Sequence, residues 1–175
     1  QDFETAYDVY DIVTADNFTG AGENISMVEM VLAGWNGFTD PSSVSGYTAN
    51  LYTDETSLAV SIIGDIASEY IDVADASMSG TWAGAGFLMG VNTTMTSASG
   101  MQLVGLVPSN DFATGGQTGT SDSSIGDGVY AWQGNPGGGF AMPDNHQQLT
   151  ADAAYRMYSD AVPDPCNDPY EGCPE

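Results

Sequence analysis

The sequence contains no lysine, one arginine (Arg156) and one histidine (His146), against 24 aspartates and glutamates, for a formal net charge of −23. A field of that sign repels nucleic acid and anionic membrane surfaces, so neither is an expected partner, and it favours divalent cations or basic partners. It also produces self-repulsion at low salt, which points to a medium rich in salt or divalent ions. A nucleophilic triad needs a general base, usually histidine. His146 stands alone in the polar loop Pro143-Asp144-Asn145-His146, so no enzymatic activity and no catalytic residue are expected. No apolar run approaches the length that spans a bilayer; Met30–Ala33 and Leu58–Ile63 are strand-sized. Cysteine is scarce. Cys166 and Cys173 sit in one turn-rich segment, Cys-Asn-Asp-Pro-Tyr-Glu-Gly-Cys, with no further Cys or His beside them. Together with Gln at position 1, which reads as a processed start, this favours a local disulfide and an extracellular or cell-surface location over a thiolate metal site.

What is present is β-forming. Hydrophobic residues make up 42% of the chain, enough for one packed domain. Residues 24–35 are apolar on both faces, as a central strand requires. Residues 47–52 alternate, and Leu58, Val60 and Ile62 alternate with Ala59, Ser61 and Ile63, so both segments are expected to be strands. The 66–78 segment has helical spacing at Ile66, Tyr70 and Val73, but its β context favours a strand over 69–78. Residues 81–91 and 102–107 read as further strands, and 108–126, rich in Gly, Ser, Thr and Asp, reads as a long loop. The stretch Gly126–Trp132 leads into Gln133-Gly134-Asn135-Pro136-Gly137-Gly138-Gly139-Phe140, a loop for which glycine and proline are suited. It is answered by a last strand at 153–158 with Ala153, Tyr155 and Met157 inward and Arg156 outward. Eight or nine short strands without a clear helix predict an all-β protein, a β-sandwich of jelly-roll or Greek-key type. The expected organisation is an N-terminal β segment over 1–14, a sandwich over 15–161, and a Pro/Cys/Asp tail over 162–175.

Three local patterns, Ala15-Asp16-Asn17-Phe18-Thr19, Asn135-Pro136-Gly137-Gly138-Gly139-Phe140 and Asp152-Ala153-Ala154-Tyr155-Arg156-Met157, resemble secreted β-sandwich domains of environmental bacteria, including those that carry PEP-CTERM sorting signals. The tail from Cys166 to Glu175 resembles the short linkers that precede dockerin-like repeats in planctomycete-type secreted proteins. The resemblance implies an extracellular β-sandwich and carries over no catalytic residue.

Calcium is the expected cofactor, because hard cations take carboxylate, amide and carbonyl oxygens and the chain is rich in all three. Asn110, Asp111, Asp122 and Asp127 are the first candidate ligand set; Asp65, Glu69, Asp72 and Asp75 are a weaker one, since strand alternation would turn Glu69 and Asp72 apart. Two functions of different class follow. In the first, the protein is structural and polymerises with copies of itself into a filament or surface layer. Residues 2–13 of one subunit would complete a sheet edge of the next, with Phe3, Tyr7, Val9 and Ile12 filling pockets and calcium bridging subunits. In the second, it is a calcium-dependent carbohydrate-binding module that holds a polysaccharide on a platform of Tyr47, Tyr52, Tyr130 and Trp132.

Overall fold

A computed structural model describes residues 1–39, 41–82 and 86–159, with the side chains of 79–82 left aside. The strands are β1 (Val13–Ala21), β2 (Asn24–Trp35), β3 (Val44–Tyr52), β4 (Ala67–Asp72), β5 (Ser77–Trp82), β6 (Gly86–Thr96), β7 (Ser99–Asn110), β8 (Gln117–Thr120), β9 (Asp122–Ser123), β10 (Trp132–Gly134), β11 (His146–Gln148), β12 (Asp152–Ala153) and β13 (Tyr155–Ser159). Two one-turn helices, α1 (Glu55–Leu58) and α2 (Phe112–Gly115), interrupt them. The protein is all-β, as expected, and its strands are antiparallel.

A six-stranded sheet has the order β11-β10-β1-β7-β3-β4, and a second sheet the order β13-β2-β6-β5, with β8 continuing beside β2 past the end of β13. The main core lies between them. Val28, Met30 and Leu32 from β2 and Met89 and Val91 from β6 meet Tyr47, Ala49, Leu51, Val104 and Leu106 from β3 and β7. Alternation along β3 and β7 sends the intervening residues to the outer face of the six-stranded sheet. There Val13, Ala15, Tyr52, Leu58, Leu103 and Val107 form a second, smaller core. The double burial of β3 and β7 follows from this outer cover.

The segment 58–63 supplies that cover and is not a strand. Asp54 accepts hydrogen bonds from the Thr56 and Ser57 backbone N–H groups and caps α1. Leu58 is buried on the outer core while Val60 is 80% exposed. The apparent alternation of 58–63 therefore belongs to the end of a helical turn and the bends after it, with Leu58 buried in the outer core and Ile62 half-buried against it. Asn50 fixes the returning chain: its Oδ1 accepts from Gly64 N and from Ser68 Oγ, both at 2.8 Å.

The expected strand over 69–78 divides into β4 and β5, which lie in different sheets. The division falls at a 3-10 turn, Val73–Asp75, where Asp72 accepts from Ala74 N. The expected loop from 108 begins late, because β7 runs to Asn110, and it then contains α2, β8 and β9. The N-terminal β segment is corrected as well: Thr5–Tyr10 is a 3-10 helix and the first long strand starts at Val13. The tail and its cysteines, Cys166 and Cys173, lie outside the described residues.

Candidate functional site

Two places bring together polar or aromatic groups from distant parts of the chain. The first is the seat of the N-terminal arm, residues 1–12. β1 pairs with β7 only as far as Ala15 opposite Gly105, and then turns to β10. This leaves the last turn of β7 open on one side. Residues 1–3 fill the gap through one parallel bridge of Asp2 to Ser109, with Asp2 N donating to Pro108 O at 2.9 Å and Asn110 N donating to Asp2 O at 3.0 Å. Gln1 is buried. Its Nε2 donates to the carbonyls of Asn110 and Gly116, and its Oε1 accepts from Thr118 N at 2.8 Å. Gly116 presents its carbonyl from a left-handed backbone, φ +72°, which favours glycine.

Phe3 is buried edge-on against Phe112, with ring centroids 6.2 Å apart, and Tyr7 meets the same ring edge-on at 5.5 Å. The Glu4 carboxylate accepts from Phe112 N and Ala113 N, and so closes the first turn of α2 in place of Asp111, whose side chain makes no such bond. Tyr10 meets Phe140 at 5.3 Å. Of the residues expected to fill pockets, Phe3 does so in its own chain, Tyr7 and Ile12 are half-buried, and Val9 is 50% exposed and engaged through its backbone. Sequence reasoning missed Gln1. A polar residue at the end of a chain gives no periodic signal.

The second place is an acidic cleft of about 570 Å³ where β1, the β9–β12 pair and the start of β13 meet. Asp16, Asn17, Asp127 and Asp152 line it, with Tyr155 and Arg156. Asp16 is buried, and its carboxylate accepts from Asn17 N at 2.9 Å and Ala153 N at 2.6 Å. Burial, aided by the charges of Asp152 and Asp127, nonetheless pushes its carboxyl above the ordinary aspartate range. Asp127 goes the other way: hydrogen bonds from the Asn17 side chain and from Val129 N hold it low.

Asp152 is 9% exposed, and among the described residues its Oδ1 is buried without a hydrogen-bond partner, as is Oδ1 of Asn17. A Cβ built on Gly126 would fall 1.7 Å from Asp152 Oδ2, so the carboxylate occupies room that only glycine leaves. Tyr155 donates to the Asn17 carbonyl at 2.7 Å. Its phenol is pushed up by burial and by the charges of Asp16, Asp127 and Asp152. Arg156 pairs with Glu29 at 2.9 Å, its cross-strand neighbour.

The ligand set expected from sequence is divided by this geometry. Asp127 belongs to the cleft. Asn110 is buried beside the arm, where its Nδ2 donates to Gly116 O at 2.9 Å; Asp111 precedes α2; Asp122 lies exposed on β9. Asp65 and Asp72 are used locally, Asp65 accepting from Thr53 and Asp72 from Ala74, while Glu69 accepts from Thr94 N across to β6. Among the described residues no group of three Asp, Glu, His or Cys side chains is placed to hold a metal ion.

The aromatic platform expected for sugar binding is dismantled. Tyr47 and Tyr52 are fully buried, Trp132 packs half-buried against the outer core with its ring 5.6 Å from His146, and Tyr130 alone is exposed. Trp35, for which a core role is natural in a sandwich, is 45% exposed. Comparison with protein-family models, with curated proteins and with solved structures finds no match.

Proposed function

We propose that this chain is a non-catalytic, extracellular structural domain that assembles with copies of itself by strand addition, residues 1–3 of one subunit entering the open side of β7 in the next. The observation that carries the reading is the seating of Gln1–Phe3. It is held by main-chain bonds to β7 and by a buried side chain, while the 3-10 helix that follows has no buried residue. The seat recognises an extended backbone and a small set of side chains, which is the way added strands are bound. Glu4 to Asp11 then act as a tether that reaches about 27 Å when drawn out, enough to cross to a neighbouring subunit.

Exchange of an identical element between subunits gives the Gln1–Phe3 contacts in trans, at the cost of the contacts that Glu4, Tyr7, Val9 and Asp11 make within their own chain. A head-to-tail contact of this kind that does not close makes a filament. The acid excess sets the condition for it, since neighbouring subunits repel until salt or divalent ions screen them. The sugar-binding alternative is the weaker reading, because two of its four platform residues, Tyr47 and Tyr52, are fully buried and Trp132 is half-buried.

The test compares the intact chain with one lacking residues 1–12, by electron microscopy and size-exclusion chromatography in calcium and in chelator. The intact chain should form linear assemblies, and the shortened chain should keep its β-sheet circular dichroism yet remain monomeric. Polymers of the shortened chain would refute strand donation, and an intact chain that stays monomeric under every ionic condition would refute assembly.

A further inference from the structure

We propose that the cleft at Asp16, Asn17, Asp127 and Asp152 is a binding site for one calcium ion, with Asp152 Oδ1 and Asn17 Oδ1 as its inner protein donors. An acidic cluster alone is weak support, because surface carboxylates are usually just solvated. Here two features go further. The Asp152 side chain is nine-tenths buried, and one of its oxygens has almost no accessible surface and no donor among the described residues. Burying a carboxylate oxygen in that way is costly unless a cation or a hydrogen bond compensates it. The amide oxygen of Asn17, a residue that lines the same cleft, is in the same condition, while its Nδ2 donates to Asp127 at 2.8 Å. Two unlike oxygens, one charged and one neutral, are thus left without donors at one cleft.

Three aspartates line the cleft, and the one cationic side chain among its described lining residues, Arg156, is committed to Glu29. The donors are all oxygen, which suits a hard cation, and calcium accepts mixed carboxylate, amide and water sets in flexible geometry, whereas magnesium demands a near-ideal octahedron. A calcium ion there would have to rely on the amide oxygen and on water, because no group of three Asp, Glu, His or Cys side chains among the described residues is placed to hold a metal by itself. Carboxylates that repel one another stand apart until an ion draws them in. The backbone is arranged for this: Gly126 leaves the space that the Asp152 carboxylate fills, and Asp16 is anchored by two backbone N–H groups. The site joins β1 to β12, segments far apart in the chain, so an ion would fasten the closing strands to the sandwich. This proposal is independent of assembly, since it concerns a site within one subunit.

The experiment is calorimetric titration of the full chain with calcium chloride in 150 mM sodium chloride, ~8 Å in screening length, with magnesium chloride as the competing probe. One saturable site is expected above a weak diffuse background. D152N and D127N should each weaken that site at least tenfold, and D75N, an exposed acid outside the cleft, should leave it unchanged. In chelator, D152N should melt at or above the wild-type temperature, because it removes a buried charge, while losing most of the calcium-induced rise in Tm. That pair of results separates an ion ligand from a structural acid. Should D152N fail to fold, D127N, whose carboxylate is exposed, carries the test. No saturable calcium heat, or a site that D127N and D152N leave intact, overturns the proposal.

Discussion

Tyr47 and Tyr52 lie on the same strand, and neither has exposed surface, yet their hydroxyls differ in what they do. Tyr47 points into the main core, where its hydroxyl is buried without a hydrogen bond among the described residues and burial pushes the phenol up to about 12. Tyr52 points to the outer core and donates to the Ile62 carbonyl, so it ties the covering segment down. Removing an unpaired buried hydroxyl removes only its desolvation cost, whereas removing a paired one strands its acceptor. Tyr47→Phe should therefore leave stability unchanged or raise it by up to about 1 kcal/mol, and Tyr52→Phe should lower it by about 1–2 kcal/mol. Urea denaturation of the two variants checks this, and equal effects would refute the distinction. Sequence patterning placed both tyrosines on a strand; it had no means of telling which hydroxyl finds a partner.

At the scale of elements, Asn135 shows how a loop and a distant arm hold each other. It is fully buried, donates to the carbonyls of Val9 and Asp11 at 2.9 and 2.7 Å, and accepts from Phe140 N at 2.8 Å. The glycines beside it allow the approach: a Cβ on Gly137 would lie 2.5 Å from the Val9 Cα. Thus the Asn135–Phe140 loop, recognisable in the sequence from its glycines and proline, has the specific task of receiving the arm. Asn135→Ala should cost about 2–4 kcal/mol, since three bonds go and their buried partners are left over. Hydrogen exchange should be accelerated at Phe140 N, whose acceptor is lost, and in residues 1–12. Unchanged protection of the arm would mean that Gln1 and Phe3 hold it alone. Strands β2, β3, β7 and β13 were legible because each combines alternation or a continuous apolar run with strand length. The 58–63 segment was not, because a helical turn followed by bends can mimic a period of two over six residues.

For the whole molecule, the governing quantity is the charge of −23. Folding packs these carboxylates into a smaller volume, so self-repulsion opposes it most when screening is weak. Raising sodium chloride from about 10 mM to about 500 mM shrinks the screening length from roughly 30 Å to under 8 Å and should raise Tm by several degrees. Differential scanning calorimetry measures this directly. A Tm that stays flat across that range would show that the acids are spaced too widely to matter. Sodium acts here by screening alone, so any extra stabilisation by calcium at matched ionic strength isolates the cleft from the general field.

Residue order by itself determined the all-β class, the sandwich, the strands with clean periodicity and the sign of the molecule's field, because these depend on local alternation and on composition. Tertiary structure decided the rest. It set Gln1 against Asn110, Gly116 and Thr118, the Asp152 carboxylate against Gly126, and Asp16 against Ala153. Each of these contacts joins segments that are distant along the chain. Whether an acid there is solvated or buried depends on which strands close over it, and no local pattern carries that information.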